Sequence, residues 1–200
     1  LQHERLATTR LDSLQCFWYG AAPISAARLE EALTKIGPVM AQLFGQTEAP
    51  MMISMMSPRE HFQADGAVAR ARLSSAGRPG PLVQVATMDG EGRLLPAGET
   101  GEIVVRGSLV MAGYYKDPKA TAEAGRFGWH HTGDIGRLDA DGFLYIVDRA
   151  KDMIITGGFN VYSVEVEQAL MQHPDVQDSA VIGLPDDKWG ERVVAVLQLH

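Results

Sequence analysis

The sequence predicts a mixed α+β fold with an antiparallel, barrel-like β segment at its centre and a smaller α+β unit at its end. Three observations predict it. Helical periodicity over residues 25–36 is followed at once by a strand-like run. Between residues 77 and 148, short β-type runs alternate with Gly, Pro and Asp turns. After Asp148 strand and helix signals mix again, which sets a boundary at residues 148–151 and divides the chain into 1–148 and 149–200.

In chain order, Leu29, Leu33 and Ile36 share one face of the first helix, and Gly37 follows as a stop. Residues 39–44 read as a strand ending at the turn-like Gly45. Residues 51–56 hold four Met, flexible gap-fillers open to two uses, core packing or a pocket wall. Residues 82–85, 103–106 and 143–147 read as strands. Asp89-Gly90 and Asp141-Gly142 are hairpin signals between them, and the set points to a distorted barrel. Residues 153–156 form a strand that Gly157-Gly158 breaks. Ser163 suits the N-cap of a helix reaching about His173, with Glu165 and Glu167 in its first turn and Val166, Ala169 and Leu170 facing inward. His173-Pro174 ends it, and residues 179–182 and 192–199 read as two further strands.

Of the 200 residues, 46% are hydrophobic and 22% charged, enough apolar material for a packed core. The net charge is −7, with no Lys/Arg-rich run, which argues against nucleic acid as a partner. A phosphorylated small molecule held by a few local donors remains compatible. The single cysteine, Cys16, excludes an internal disulfide and a cysteine-cluster zinc site. It reads as buried, with nothing beside it to make a thiolate nucleophile. No apolar stretch is long enough to span a bilayer, and the first residues are not a signal peptide, so a reducing, cytoplasmic setting is expected. The first residue is not Met and the last residues fall in an apolar run, so both ends read as cut from a longer chain. A homo-oligomer is left open.

Five segments carry chemistry. They are Leu43-Phe44-Gly45-Gln46-Thr47-Glu48; Gly101-Glu102-Ile103-Val104-Val105-Arg106-Gly107 continued by Met111-Ala112-Gly113-Tyr114-Tyr115; His131-Thr132-Gly133-Asp134; Asp148-Arg149-Ala150-Lys151-Asp152; and Gly157-Gly158-Phe159-Asn160-Val161-Tyr162. In that order, from about Tyr19 to the end, they resemble the adenylate-forming superfamily of AMP-dependent synthetases and ligases. Each string alone is weak, but five in one order are not chance. The resemblance implies the C-terminal part of an acyl-CoA synthetase. The chain would hold the end of the large AMP-binding domain with its β-barrel subdomain, then part of the small domain, with a hinge near 149–151. It further implies ATP-dependent activation of a carboxylic acid to acyl-AMP and transfer to coenzyme A, with ATP/AMP, Mg²⁺ and CoA as ligands.

The residue types suit those roles. Thr-Glu after a strand and a glycine offers a hydroxyl to a phosphate oxygen and a carboxylate to a hard cation, and Mg²⁺ needs only one or two carboxylates beside substrate phosphates. By resemblance, Thr47 contacts the α-phosphate, Glu48 the metal, and Phe44 with Gly45 lies against adenine. Gly20-Ala21-Ala22-Pro23 corresponds to the small-residue stretch along adenine and the acyl group; a plain turn into the helix would look the same. Asp134, read in a Thr-Gly-Asp turn, can accept two hydrogen bonds and by resemblance holds the ribose 2′ and 3′ hydroxyls; an Asx-type turn is the alternative. Arg149 offers a fork for ribose and phosphate oxygens. Lys151 matches the hinge about which the small domain rotates. Gly157 and Gly158 match the loop lining the pantetheine channel, or simply join two strands. Trp189 is open to CoA contact or to packing. His130 and His131, being adjacent, point different ways and read as packing near Asp134 rather than as joint metal ligands.

Two family elements lie outside these residues: a Ser/Thr/Gly-rich loop ending in Lys, expected far upstream of Tyr19, and a late Lys expected beyond His200. Ser163 stands where relatives usually have Pro. The 200-residue chain by itself is therefore expected to show no ATP–pyrophosphate exchange. Two rival readings are an adenylation domain that loads a carrier protein and a non-catalytic nucleotide-binding module.

Overall fold

The structure is a computed structural model and describes residues 1–22 and 24–199, so Pro23 of the small-residue stretch lies outside the described residues. Strands β1 (Phe17–Gly20) and β2 (Met40–Phe44) run parallel, Phe17 opposite Met40, and helix α1 (Ala26–Lys35) makes the crossover that parallel pairing requires. The Ser25 hydroxyl accepts from the Arg28 amide at 3.2 Å, which caps the helix. Its inner face buries Leu29, Ala32 and Leu33 against Met40 and Leu73. Strands β3 (Ser54–Met56) and β4 (Arg78–Pro79) extend this sheet antiparallel. Within the methionine run Met56 is fully buried and Met51 exposed, so the run reaches from core to surface.

Strands β5 (Val83–Met88), β6 (Gly101–Gly107), β7 (His130–Leu138) and β8 (Leu144–Arg149) form an antiparallel meander in chain order. Helix α2 (Pro118–Ala124), capped by the Asp117 carboxylate on the Ala120 amide at 2.9 Å, lies in the β6–β7 connection. The expected distorted barrel is an open sheet, with no closed barrel among the described residues. The outer edge of β8 is already occupied: the Leu144 amide donates to the Gly77 carbonyl at 2.8 Å and the Ala76 amide to the Leu144 carbonyl at 2.7 Å. The Asp141-Gly142 hairpin forms as expected, with Asp139 Oδ1 accepting from the Asp141 and Phe143 amides.

Residues 132–134, read from the sequence as a turn, are instead a bulge within β7. His131 lies opposite Val104 and Ile135 opposite Glu102, so three residues face Ile103 alone, and Gly133 takes φ +72° there.

The last sheet has the order β10-β9-β12-β11, built from β9 (Ile154–Thr156), β10 (Phe159–Val161), β11 (Val176–Asp186) and β12 (Gly190–Leu199), with helix α3 (Ser163–Leu170) packed on β8 and β11. Gly157 and Gly158 form the two-residue loop of the β9–β10 hairpin with φ +58° and +83°, the pattern of a type I′ turn. Ser163 is the first residue of α3, not its N-cap; Tyr162 holds that position without a side-chain bond. The missing acceptor comes from β8, where Asp148 Oδ2 accepts from both the amide and the hydroxyl of Ser163. The helix stops at Leu170, short of His173, because the His173 amide turns back onto the Leu170 carbonyl at 3.0 Å ahead of Pro174. Cys16 is exposed, not buried: it leads into edge strand β1, whose Phe17 and Trp18 are exposed too. No helix among the described residues is long and apolar enough to cross a membrane.

Candidate functional site

A cleft of about 360 Å³ opens where β2 ends, β7 bulges and β8 gives way to α3. Gly20, Ala21 and Ala22 line it after β1, and Phe44, Gly45 and Gln46 line it after β2. Asp134 and Arg149 face it from β7 and β8, and Ser163, Val164 and Gln168 from α3. Residues from five separate sequence segments thus meet in one place. The glycines allow this crowding, since a side chain on Gly20 would collide with the Leu43 carbonyl and one on Gly45 with the Met51 backbone. Phe44 is a fixed wall: it packs against Ile53 and Val105 on one side and Ile103 and Leu144 on the other.

Asp134 is only 6% exposed. Its Oδ2 accepts from Gln46 Nε2 at 3.0 Å, and Arg149 Nε stands 3.5 Å from Oδ1, because the β7–β8 register sets the two residues opposite each other. Burial pushes the Asp134 carboxyl above its ordinary value, while Arg149 and the Gln46 bond pull it back. The Arg149 side chain is 61% exposed. A carboxylate with one donor on it and a cation beside it retains lone pairs for a pair of hydroxyls.

Gln46 also donates to the Thr132 carbonyl at 2.7 Å and approaches His130 Nε2 through Oε1 at 3.3 Å. Burial pushes the His130 imidazole below its ordinary value. His131 points the other way, with Nδ1 2.7 Å from Glu102 and Nε2 3.1 Å from the Arg126 carbonyl. The two histidines therefore diverge, as their adjacency predicts.

Thr47 is exposed and Glu48 half-buried; neither lines the cleft, although both follow Gln46 in the same turn. Glu48 Oε1 accepts from the Tyr114 hydroxyl at 2.8 Å, a bond that raises the Tyr114 pKa. No group of three or more His, Cys, Asp or Glu suited to a metal occurs among the described residues. A lone carboxylate does not cage an ion, but it fits a cation that arrives with phosphate oxygens already bound.

The AMP-binding enzyme family model matches residues 1–115, and that of the AMP-binding enzyme C-terminal domain matches residues 165–200. The chain belongs to the AMP-binding enzyme family. It is 46% identical over 200 residues to the medium/long-chain-fatty-acid–CoA ligase FadD8 of Mycobacterium tuberculosis H37Rv, covering 100% of this chain and 34% of that protein. It is 42% identical over 177 residues to the fatty acid–[acyl-carrier-protein] ligase ScoC of Streptomyces coeruleorubidus, covering 88% and 33%. The solved structure of the amide bond synthetase McbA from Marinactinospora thermotolerans superposes with a TM-score of 0.92 at 40% identity, covering 100% of this chain and 40% of that one. The chain spans about a third of the length of the curated relatives it matches.

In this AMP-binding enzyme the remaining expected residues lie away from the cleft lining. Lys151 is exposed and makes no hydrogen bond or ion pair among the described residues, although its neighbours Arg149 and Asp152 line the cleft. Gly157, Gly158 and Trp189 cluster with one another: the Gly157 amide donates to the Trp189 carbonyl at 2.8 Å, and a Cβ on Gly157 would come 2.9 Å from the indole. Trp189 is half exposed, so it packs and still presents a face to solvent. Gln46 and Tyr114 stand inside the segments 43–48 and 111–115, but nothing in the sequence alone gives either a role. The Asp148–Ser163 bonds had no sequence signal beyond the unusual Ser163.

Proposed function

We propose that the intact protein carrying this chain activates a carboxylic acid with ATP and passes the acyl group to coenzyme A. The observation that carries this reading is the convergence of Phe44, Asp134 and Arg149 on one cleft floored by small residues. In the first step the substrate carboxylate oxygen attacks the α-phosphorus of ATP; the bond to the bridging oxygen breaks, and acyl-AMP and pyrophosphate form. In the second the CoA sulfur attacks the acyl carbonyl, loses its proton, and AMP leaves. Asp134 accepts from the ribose hydroxyls, the Arg149 fork reaches ribose and phosphate oxygens, and Phe44 supports adenine above Gly20, Ala21, Ala22 and Gly45. The Thr47 hydroxyl donates to the α-phosphate. Such chemistry is accelerated chiefly by positioning and charge stabilisation.

Glu48, with Oε1 on Tyr114 and Oε2 without a hydrogen-bond partner among the described residues, would hold Mg²⁺ together with the nucleotide phosphates. When bound, that ion would neutralise charge on the phosphate oxygens. We assign residues 1–148 to the large domain and 149–200 to the small one, with Lys151 as the pivot; its exposure and lack of partners support this. Rotation there would exchange the face near the cleft for the Gly157-Gly158 loop and Trp189, which deliver the thiol. ATP and CoA as substrates support a cytoplasmic location.

The test incubates the intact protein with ATP, Mg²⁺, CoA and a panel of fatty and aromatic acids, and reads thioesters by mass spectrometry. A thioester with at least one acid supports the proposal; AMP binding without acid-dependent product would leave only a nucleotide-binding module. The similarity to ScoC and McbA favours a second reading for the acceptor, a carrier-protein thiol or an amine. Acyl-AMP that CoA fails to consume, but one of these does, would establish it.

A further inference from the structure

Gln46 occupies the junction between the cleft and the β7 bulge. Its Nε2 has two hydrogens and two oxygen neighbours, the Thr132 carbonyl at 2.7 Å and Asp134 Oδ2 at 3.0 Å. One amide thus ties the bulge backbone to the carboxylate that the bulge displays. Flipping the amide would set Oε1 against both oxygens, so its orientation is fixed by repulsion as well as attraction. Oε1 must then accept from His130 Nε2 at 3.3 Å, which requires the hydrogen on that nitrogen. On the other side, Thr132 Oγ1 donates to the Ile103 carbonyl at 2.7 Å and accepts from the Asp134 amide at 3.1 Å. The bulge backbone is held independently; the direction of the Asp134 side chain depends on Gln46.

We infer that Gln46 is a positioning residue that aims the Asp134 carboxylate at the ribose hydroxyl pair, and that His130 holds the Gln46 amide in the orientation this needs. The inference rests on the reading of Asp134 as the ribose ligand. The charged groups facing Asp134 are Arg149 from β8 and Glu102 from β6, and Gln46 is the neutral donor that completes the set. A hydrophobic isostere at position 46 leaves the carboxylate without its fixed donor and free to turn toward Arg149.

The test is calorimetric titration of the intact protein with AMP and with 2′,3′-dideoxy-AMP. The native protein is expected to prefer AMP by on the order of tenfold or more, as hydrogen bonds to a charged acceptor supply. Gln46→Met should reduce that preference to about threefold or less, with the dideoxy nucleotide bound nearly as before. Equal weakening of both nucleotides would mark a merely structural role and overturn the inference. Absence of any preference in the native protein would instead overturn the ribose reading of Asp134. Gln46→Leu provides a second variant, for which the same loss of preference is expected; a preference as strong as the native one in either variant would also overturn the inference.

Discussion

Replacing Asp148 by alanine removes a buried carboxylate that accepts three hydrogen bonds: from the Arg149 amide at 2.7 Å, and from the amide and hydroxyl of Ser163, the latter at 2.9 Å. A hydrogen bond to a charged acceptor contributes about 1.5–3 kcal/mol, and bonds that share one acceptor add less than their sum. The first turn of α3 has no other side-chain cap, since Tyr162 makes none, so the Ser163 amide would be left buried and unpaired. We therefore expect a loss of about 3 kcal/mol, concentrated at the start of α3. Hydrogen exchange of the intact protein, read on a peptide spanning residues 162–170, should show these amides exchanging on the order of a hundredfold faster. Ser163→Ala, which deletes only the hydroxyl, should cost about 1 kcal/mol. Exchange in Asp148→Ala that matches the native protein would refute the view that β8 caps this helix from outside it.

Three further outcomes are expected. Burial raises the folded-state pKa of Asp134, so its stabilising contribution is complete below the unfolded value and is lost as pH rises through the folded one. Asp134→Asn should therefore raise the unfolding free energy at pH 7 in denaturant titrations, with the gain lost in acid below the ordinary carboxylate range, while AMP binding is lost. Lys151→Pro removes no backbone hydrogen bond among the described residues but restricts Ala150 and the turn, so pre-steady-state quenching should show acyl-AMP forming near the native rate and thioester forming at least about tenfold more slowly. Gly157→Val places a branched side chain at φ +58° against the Trp189 indole, and should slow thioester formation on the order of tenfold with acyl-AMP formation within about twofold of native.

Much of the local structure was legible because its causes are local. Ser25 caps α1 and Gly37 follows it, and Asp139 with Gly142 turns β7 into β8, all within a few residues of chain. What the sequence hid depends on distant partners. An Asp-Gly turn says where a hairpin reverses but not whether its sheet closes, and closure was prevented by Ala76 and Gly77 pairing with Leu144. Asp134 read as a turn residue because Thr-Gly-Asp has turn chemistry, and only the register against Glu102 and Val104 shows the bulge. The motifs located most of the cleft, yet the Gln46 bond to Asp134 joins side chains 88 positions apart, and no spacing announces it. Ser163 has the residue type of an N-cap, and a carboxylate fifteen residues upstream moved it one place into the helix. Cys16 departs from expectation for the opposite reason: small hydrophobic residues are usually buried, but an edge strand leaves its neighbours in solvent.

The most direct test of the central claim is exchange of labelled pyrophosphate into ATP by the intact protein, without CoA, across a panel of carboxylic acids. The account predicts exchange that requires the acid, proceeds without CoA and is lost in Asp134→Ala. Nucleotide binding with no acid-dependent exchange, or exchange undiminished in Asp134→Ala, would contradict it.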